Sequence, residues 1–285
     1  MTYDVNILGF GDNVVDKYQH ISTMYPGGNC VNVAVYARQN GAKRCAYLGY
    51  FGNDKEAAHV IYALEQEQVE TIRCRQLSGE NGCSYNTIID GDRVFLHSNE
   101  GGIRGKTPYV LDCFDLRYAK EFDVVHSGNY SFTEAELSKL HANGVKVSFD
   151  FSDDSDAAYY QRVAPSVDYA FCSVDGDDEQ VKAHLEWVAS LGPELVCASR
   201  GAQGCMLYDG QRFYAQPAVP LKTVVDTMGA GDSLIASFLV AYTDQIKKGV
   251  EKSAAITRAL KTGAAFAATV CQTEGAFGYG AKYED

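Results

Sequence analysis

Short runs rich in β-branched and small apolar residues alternate with amphipathic stretches along nearly the whole chain, and this alternation limits the possible folds more than any other feature. The pattern predicts strands at 5–9, 44–48, 123–126, 145–149, 169–172 and 195–198. Between them it predicts helices at 32–40, 54–67, 133–143, 156–163 and 178–191, where apolar residues recur every three or four positions behind acidic or hydroxyl starts. Two further helices, 234–246 and 252–270, follow. Strands that each hand over to a helix need crossover connections, so the expected fold is α/β, three layers deep, with a mainly parallel central sheet. One region departs from this rhythm. Residues 83–89, the turn Asp90-Gly91 and residues 93–96 read as a two-stranded ribbon, and the alternation at 14–20 could join it. The expectation is one domain, 1–285, with a small β-sheet lid formed by segments around 13–24 and 83–98.

The 285-residue chain is 46% apolar and 22% charged, as ordinary globular proteins are. Its formal charge of −12 disfavours nucleic acid and anionic membranes as partners, so an anionic ligand would have to be held by local dipoles. Nine cysteines without a C-x-x-C pair read as buried free thiols in a reducing compartment. A first strand that begins at once and the lack of a long apolar run make the cytoplasm the expected location.

Two glycine-bearing constellations carry the chemistry. In Asp226-Thr227-Met228-Gly229-Ala230-Gly231-Asp232, the glycines allow successive amides to converge on one anion at the start of a strong helix. A carboxylate at Asp232 would repel bound phosphate unless it had a task there, such as accepting the proton of an attacking hydroxyl. The second constellation is Gly27-Gly28-Asn29-Cys30-Val31-Asn32, taken with Asp12, Asn13 and Asp16. Paired glycines admit a ligand close to the backbone, and Asn and Asp supply the mixed donors and acceptors that a polyhydroxylated sugar demands. Each fragment alone also fits an ordinary capped helix start. Two look-alikes fail. Residues 100–107 resemble a phosphate loop but begin with Glu100 and run into Pro108 instead of a helix. Gly9-Phe10-Gly11-Asp12-Asn13-Val14 lacks the third glycine of a dinucleotide fingerprint.

Taken in this order, about 200 residues apart, the two constellations resemble the signature blocks of the ribokinase-like, or phosphofructokinase-B type, family of ATP-dependent sugar kinases. Residues 11–18, 32–36, 92–95 and 149–153 and the pair Thr227-Met228 look most like fructoselysine 6-kinases. The resemblance implies transfer of the ATP γ-phosphoryl to a primary hydroxyl of a ketose-type sugar. Asp232 would be the base, and Gly229, Ala230 and Gly231 the anion hole. Asp16, Gly28 and Asn32 would hold the sugar, with Asp12 and Asn13 beside them and Arg93 facing the carboxylate of an amino-acid-linked sugar. Thr227, Gly229, Gly231, Gly201 and Gly204 would border the nucleotide. It further implies Mg2+, whose protein ligands the sequence leaves open, a monovalent cation in some relatives, and a homodimer formed through the lid. Two alternatives stay open: a kinase of the same family acting on ribose, fructose, a sugar acid or a nucleoside, and a non-catalytic sugar-binding protein.

Overall fold

A computed structural model describes residues 2–89 and 92–284; the turn Asp90-Gly91 and the side chains of Ile88, Ile89, Asp92 and Arg93 lie outside the described residues. In chain order the strands are β1 (Tyr3–Gly11), β2 (Val14–Tyr18), β3 (Thr23–Gly27), β4 (Ala42–Phe51), β5 (Arg75–Gln76), β6 (Gly82–Ile89), β7 (Asp92–Ser98), β8 (Val124–Gly128), β9 (Val147–Asp150), β10 (Tyr169–Ser173), β11 (Leu195–Ser199), β12 (Cys205–Tyr208), β13 (Phe213–Gln216) and β14 (Ala281–Lys282). The helices are α1 (Asn29–Gln39), α2 (Lys55–Gln66), α3 (Ile103–Lys106), α4 (Cys113–Ala119), α5 (Glu134–Ala142), α6 (Ala157–Val163), α7 (Asp178–Ser190), α8 (Ala230–Lys247) and α9 (Lys252–Val270).

The large sheet has the order β13-β12-β11-β10-β9-β8-β1-β4-β5. It is parallel from β11 through β5, and β12 and β13 add an antiparallel edge. Side chains alternate between two cores, as the pleat requires. Ile7, Cys45 and Tyr47 pack on one face with α1, α2, α8 and α9, whereas Leu8, Phe10, Ala46 and Leu48 pack on the other with α4–α7. This is the expected three-layer arrangement. Its parallel strands deliver their C-terminal ends to one rim, where open α/β sheets bind ligands.

The lid is larger than the sequence indicated. Its order is β14-β3-β2-β6-β7, so β3 and the distant β14 extend the two expected segments. A buried ion pair, Lys17 Nζ to Glu56 Oε1 at 2.9 Å, ties β2 to α2, and the ammonium lies over the rings of Tyr85 and Tyr283. All nine cysteines are free thiols, but Cys113 is exposed and Cys74 and Cys271 are half-buried, which corrects the expectation that all are buried.

Candidate active site

β1 ends at Gly11, and the next residue fixes the start of α1. Asp12 accepts from the Asn29 amide (2.8 Å) through Oδ2, and from the Cys30 amide (3.1 Å) and Ser131 Oγ (2.8 Å) through Oδ1. Asp12 thereby caps α1, and it also lines the cavity under the lid, where its carboxylate can accept a further donor. Gly28 precedes that helix at φ 106°, and a Cβ there would lie 2.9 Å from both Asn13 Cα and Asp12 Oδ2. Only glycine fits. This turn sets Asn29 and Asn32 on the first turn of α1, facing the start of α8.

Asp232 meets them there. Its Oδ1 accepts from Asn29 Nδ2 at 2.8 Å and its Oδ2 from Asn32 Nδ2 at 2.6 Å. The Asn29 amide also donates to Asp150 Oδ2 at 3.0 Å, at the C-terminal end of β9. Behind Asn29, its Oδ1 lies 2.8 Å from His126 Nε2, and His126 Nδ1 lies 2.9 Å from Ser148 Oγ. An amide oxygen can only accept, so Nε2 carries the proton and Nδ1 accepts from the serine. Full burial pulls the His126 pKa down to about 3, which keeps the ring neutral. The chain from Ser148 through His126 thus holds the Asn29 NH2 toward the two carboxylates. Burial pushes Asp232 up to about 6, opposed by the Asn32 and Asn29 donors and aided by the charges of Asp12 and Asp16. Burial, and then the charge of Asp232, pushes Asp150 up to about 7. His126 was not singled out from the sequence, and Asn29 and Asp150, though part of the quoted stretches, were given no role there. The available signal was Asp150's position at the end of a predicted strand.

The glycine turn before α8 is equally specific. Gly229 has φ 75°, and a Cβ on it would sit 2.4 Å from the Tyr36 hydroxyl. The amides of Gly229, Gly231 and Asp232 have no acceptor among the described residues, whereas Ala230 donates to the Thr227 carbonyl at 3.2 Å. Of the expected anion-hole amides, Ala230 is therefore engaged within the turn, while those of Gly229 and Gly231, and the amide of Asp232, are not. Asp226 is a brace: it accepts from Met228 N (2.9 Å), Tyr18 Oη (2.5 Å) and Gly275 N (3.1 Å), joining the turn to lid strand β2. Thr227 is exposed. Gly201 and Gly204 follow β11, two strands along the rim from β9.

On the acceptor side, Asp16 Oδ1 accepts from Ser84 Oγ at 2.8 Å, and Asn13 Nδ2 donates to Tyr47 Oη (2.8 Å) and the Tyr50 carbonyl (2.7 Å). The Oδ1 atoms of Asn13 and Asn32 are buried with no donor. Unsatisfied acceptors on Asn32, which touches Asp232, and on Asn13, which lines the cavity under the lid, match a ligand rich in hydroxyl donors. Asn13 and Ser84 also line a cavity of about 790 Å³ under the lid. The Arg93 side chain, expected to meet a substrate carboxylate, lies outside the described residues. Among those residues no cluster of carboxylates, histidines and cysteines could cage a metal.

Comparison with known proteins places this geometry in context. A family model described as pfkB family carbohydrate kinase matches residues 2–278. The chain is 42% identical over 281 residues to fructosamine kinase FrlD of Bacillus subtilis (strain 168), covering 98% of this chain and 95% of that one. It is 31% identical over 267 residues to fructoselysine 6-kinase of Escherichia coli (strain K12), covering 94% and 97%. Among solved structures, Arabidopsis thaliana ribokinase complexed with ribose and ATP aligns with a TM-score of 0.74 at 19% identity, covering 97% and 95% of the two chains. That likeness establishes a ribokinase-like α/β fold.

Proposed function

The chain belongs to the pfkB family of carbohydrate kinases and is an ATP-dependent sugar kinase; from this premise we propose that its acceptor is fructoselysine, a ketose joined through C1 to the ε-amine of lysine, phosphorylated on the primary 6-hydroxyl. The observation that carries the reading is Asp232, held by Asn29 and Asn32, with the buried Oδ1 of Asn32 unsatisfied among the described residues. The substrate class is supported by relatives named for fructosamine and fructoselysine that align over nearly the full chain.

The mechanism is direct in-line transfer. The 6-hydroxyl oxygen forms a bond to the γ-phosphorus as the bond to the β,γ-bridging oxygen breaks, ADP leaves, and the hydroxyl proton passes to Asp232. The transition state is loose, so the base is needed late, and a carboxylate with a pKa near 6 suits that step at neutral pH. The amides of Gly229, Gly231 and Asp232, at the positive end of α8, donate to the transferring phosphoryl. Asp16, Gly28, Asn32 and Asn13 orient the sugar, while Thr227, Gly201 and Gly204 border the nucleotide. Mg2+ would enter with ATP and, held mainly by phosphates and water, would neutralise charge on the transferring phosphoryl. A monovalent cation near Asp226 belongs to the same proposal. So do a cytoplasmic location, a homodimer formed through the lid, where Phe95 of β7 is exposed, and the treatment of 1–285 as one kinase unit with its lid.

An ADP-release assay across fructoselysine, fructose, ribose, fructose 6-phosphate and adenosine tests the reading. The highest kcat/KM is expected with fructoselysine. A preference for ribose, adenosine or fructose 6-phosphate would replace it with the corresponding sister activity.

A further inference from the structure

The cavity under the lid extends past the groups that would hold a sugar. It opens off Asp12, Asn13 and Ser84, the last bonded to Asp16, and neither Asp232 nor Asn32 is among the described residues that line it. Its occupant therefore continues outward from the sugar and does not sit at the reacting hydroxyl. At about 790 Å³ it is near the upper part of the range for small-molecule pockets, roughly 300–1,000 Å³.

Three independent features indicate a built site. The first is backbone strain. Of the seven non-glycine residues with left-handed φ among those described, Glu100 (52°), Tyr130 (67°) and Phe132 (53°) line this one cavity. Such conformations persist where the surrounding structure over-determines them, and they cluster at ligand sites. Here they present two aromatic rings, 65% and 43% exposed. The second feature is a buried cation. Arg104 is 2% exposed and donates to the Thr107 and Ser131 carbonyls, yet its Nε has no acceptor and no carboxylate lies within ion-pair reach among the described residues. The rings of Tyr50, Tyr109 and Phe132 and the charge of nearby Asp12 offset part of the cost of burying this guanidinium, and a ligand carboxylate would offset more. The third feature is mixed charge: exposed Lys106 adds to Arg104, while Glu100 and Asp153 bring the opposite sign to the same wall.

We propose that this chamber is a subsite for the amino-acid arm of the acceptor, in which Tyr130 and Phe132 cover the aliphatic stem, Arg104 and Lys106 draw the carboxylate, and Glu100 and Asp153 draw the ammonium groups. The inference rests on the reading of the acceptor as an amine-linked ketose. It deepens that reading by separating sugar recognition on α1 and β2 from arm recognition on the loops around 100–106 and 130–132. A free hexose would leave the chamber's charges without partners.

The test compares fructoselysine with 1-amino-1-deoxyfructose, the same ketosamine without the arm, and with fructose, in an ADP-release assay on the full chain. Lys106→Glu and Tyr130→Ala alter exposed side chains, so folding is spared. Each is expected to lower the ratio of kcat/KM for fructoselysine to that for 1-amino-1-deoxyfructose by about tenfold, through KM, as loss of roughly one good contact does. Retention of the wild-type ratio in both variants overturns the subsite. Failure of the underlying reading looks different: the wild-type enzyme itself would prefer fructose to both ketosamines.

Discussion

Asn29→Ala removes the amide that donates to Asp232 at 2.8 Å and to Asp150 at 3.0 Å. A hydrogen bond to a charged group is worth ~1.5–3 kcal/mol, and each pKa unit corresponds to ~1.36 kcal/mol, so losing one of its two amide donors should raise Asp232 by roughly one to two units. The charge of Asp150 acts in the same direction once no amide lies between the two carboxylates, and the apparent values then belong to the pair. The acid limb of kcat/KM should move from near 6 in the wild type to roughly 7–8 in the variant. A general base works only when ionised, so activity is lost as pH falls through these values. At pH 7 the base is ~90% ionised in the wild type and ~10–50% in the variant, a deficit of about two- to tenfold that should close by about pH 9. Initial rates of ADP release at sub-saturating acceptor, from pH 5 to 9.5, report the free enzyme and so bear directly on this geometry. An acid limb that stays put or moves down, or a deficit of equal size at every pH, refutes the assignment of Asn29 as the group that sets the base.

Asp232→Asn should cut turnover by at least ~100-fold. It should also stabilise the fold above pH 6: a carboxylate raised to about 6 in the folded state loses stability as pH rises from its ordinary value to 6, so the unfolding free energies of variant and wild type, from urea titrations, should converge near pH 4 and separate, by less than ~3 kcal/mol, at pH 8. Gly28→Ala places a Cβ 2.9 Å from the Asn13 backbone at φ 106°, and should lower urea stability by ~1–3 kcal/mol or more; an unchanged midpoint would mean the turn can relax. Glu56→Gln leaves Lys17 without its ionic partner in a site where both side chains are about one-tenth exposed, and should cost ~3–5 kcal/mol, most of it recovered in Lys17→Met/Glu56→Leu; a double variant as weak as the single would refute the ion-pair account.

The alternation of strands and helices was legible because each parallel strand is buried on both faces, and the period of its apolar residues changes where the helix begins. The pairing of Asn32 with Asp232 was legible only through a whole-chain resemblance, since 200 residues separate them. What escaped was what depends on sheet order. Asn29, His126 and Asp150 meet because β1, β8 and β9 are neighbours, and no local pattern encodes that adjacency. Strand β3 carries Pro26 and Gly27 and reads as a loop, while β14 is two residues long and contacts a partner some 250 residues earlier. The capping role of Asp12 escaped for a related reason: a carboxylate after a strand and before a glycine turn fits a ligand contact or a cap, and only the 2.8 Å bond from the Asn29 amide reveals the cap.

That bond also explains how a chain of net charge −12, with Asp12, Asp16, Asp150 and Asp232 converging on one site, can receive a polyanion. Two helices aim their positive ends at the site, and they are treated in opposite ways. The first amides of α1 are satisfied by the protein's own Asp12, which cancels that helix end and leaves its side chains Asn29 and Asn32 to work on neutral hydroxyls and on the base. The first amides of α8 at Gly231 and Asp232, with Gly229 before them, find no acceptor among the described residues, so the positive end of an 18-residue helix remains available to an external anion. An anion approaching from the α1 side would meet Asp12 and Asp16; one approaching along α8 meets donors first and a single carboxylate clamped by two amides. The asymmetry therefore supports the proposal that the phosphoryl binds at α8 and the alcohol at α1, with Asp232 at the junction as the one carboxylate that would face both.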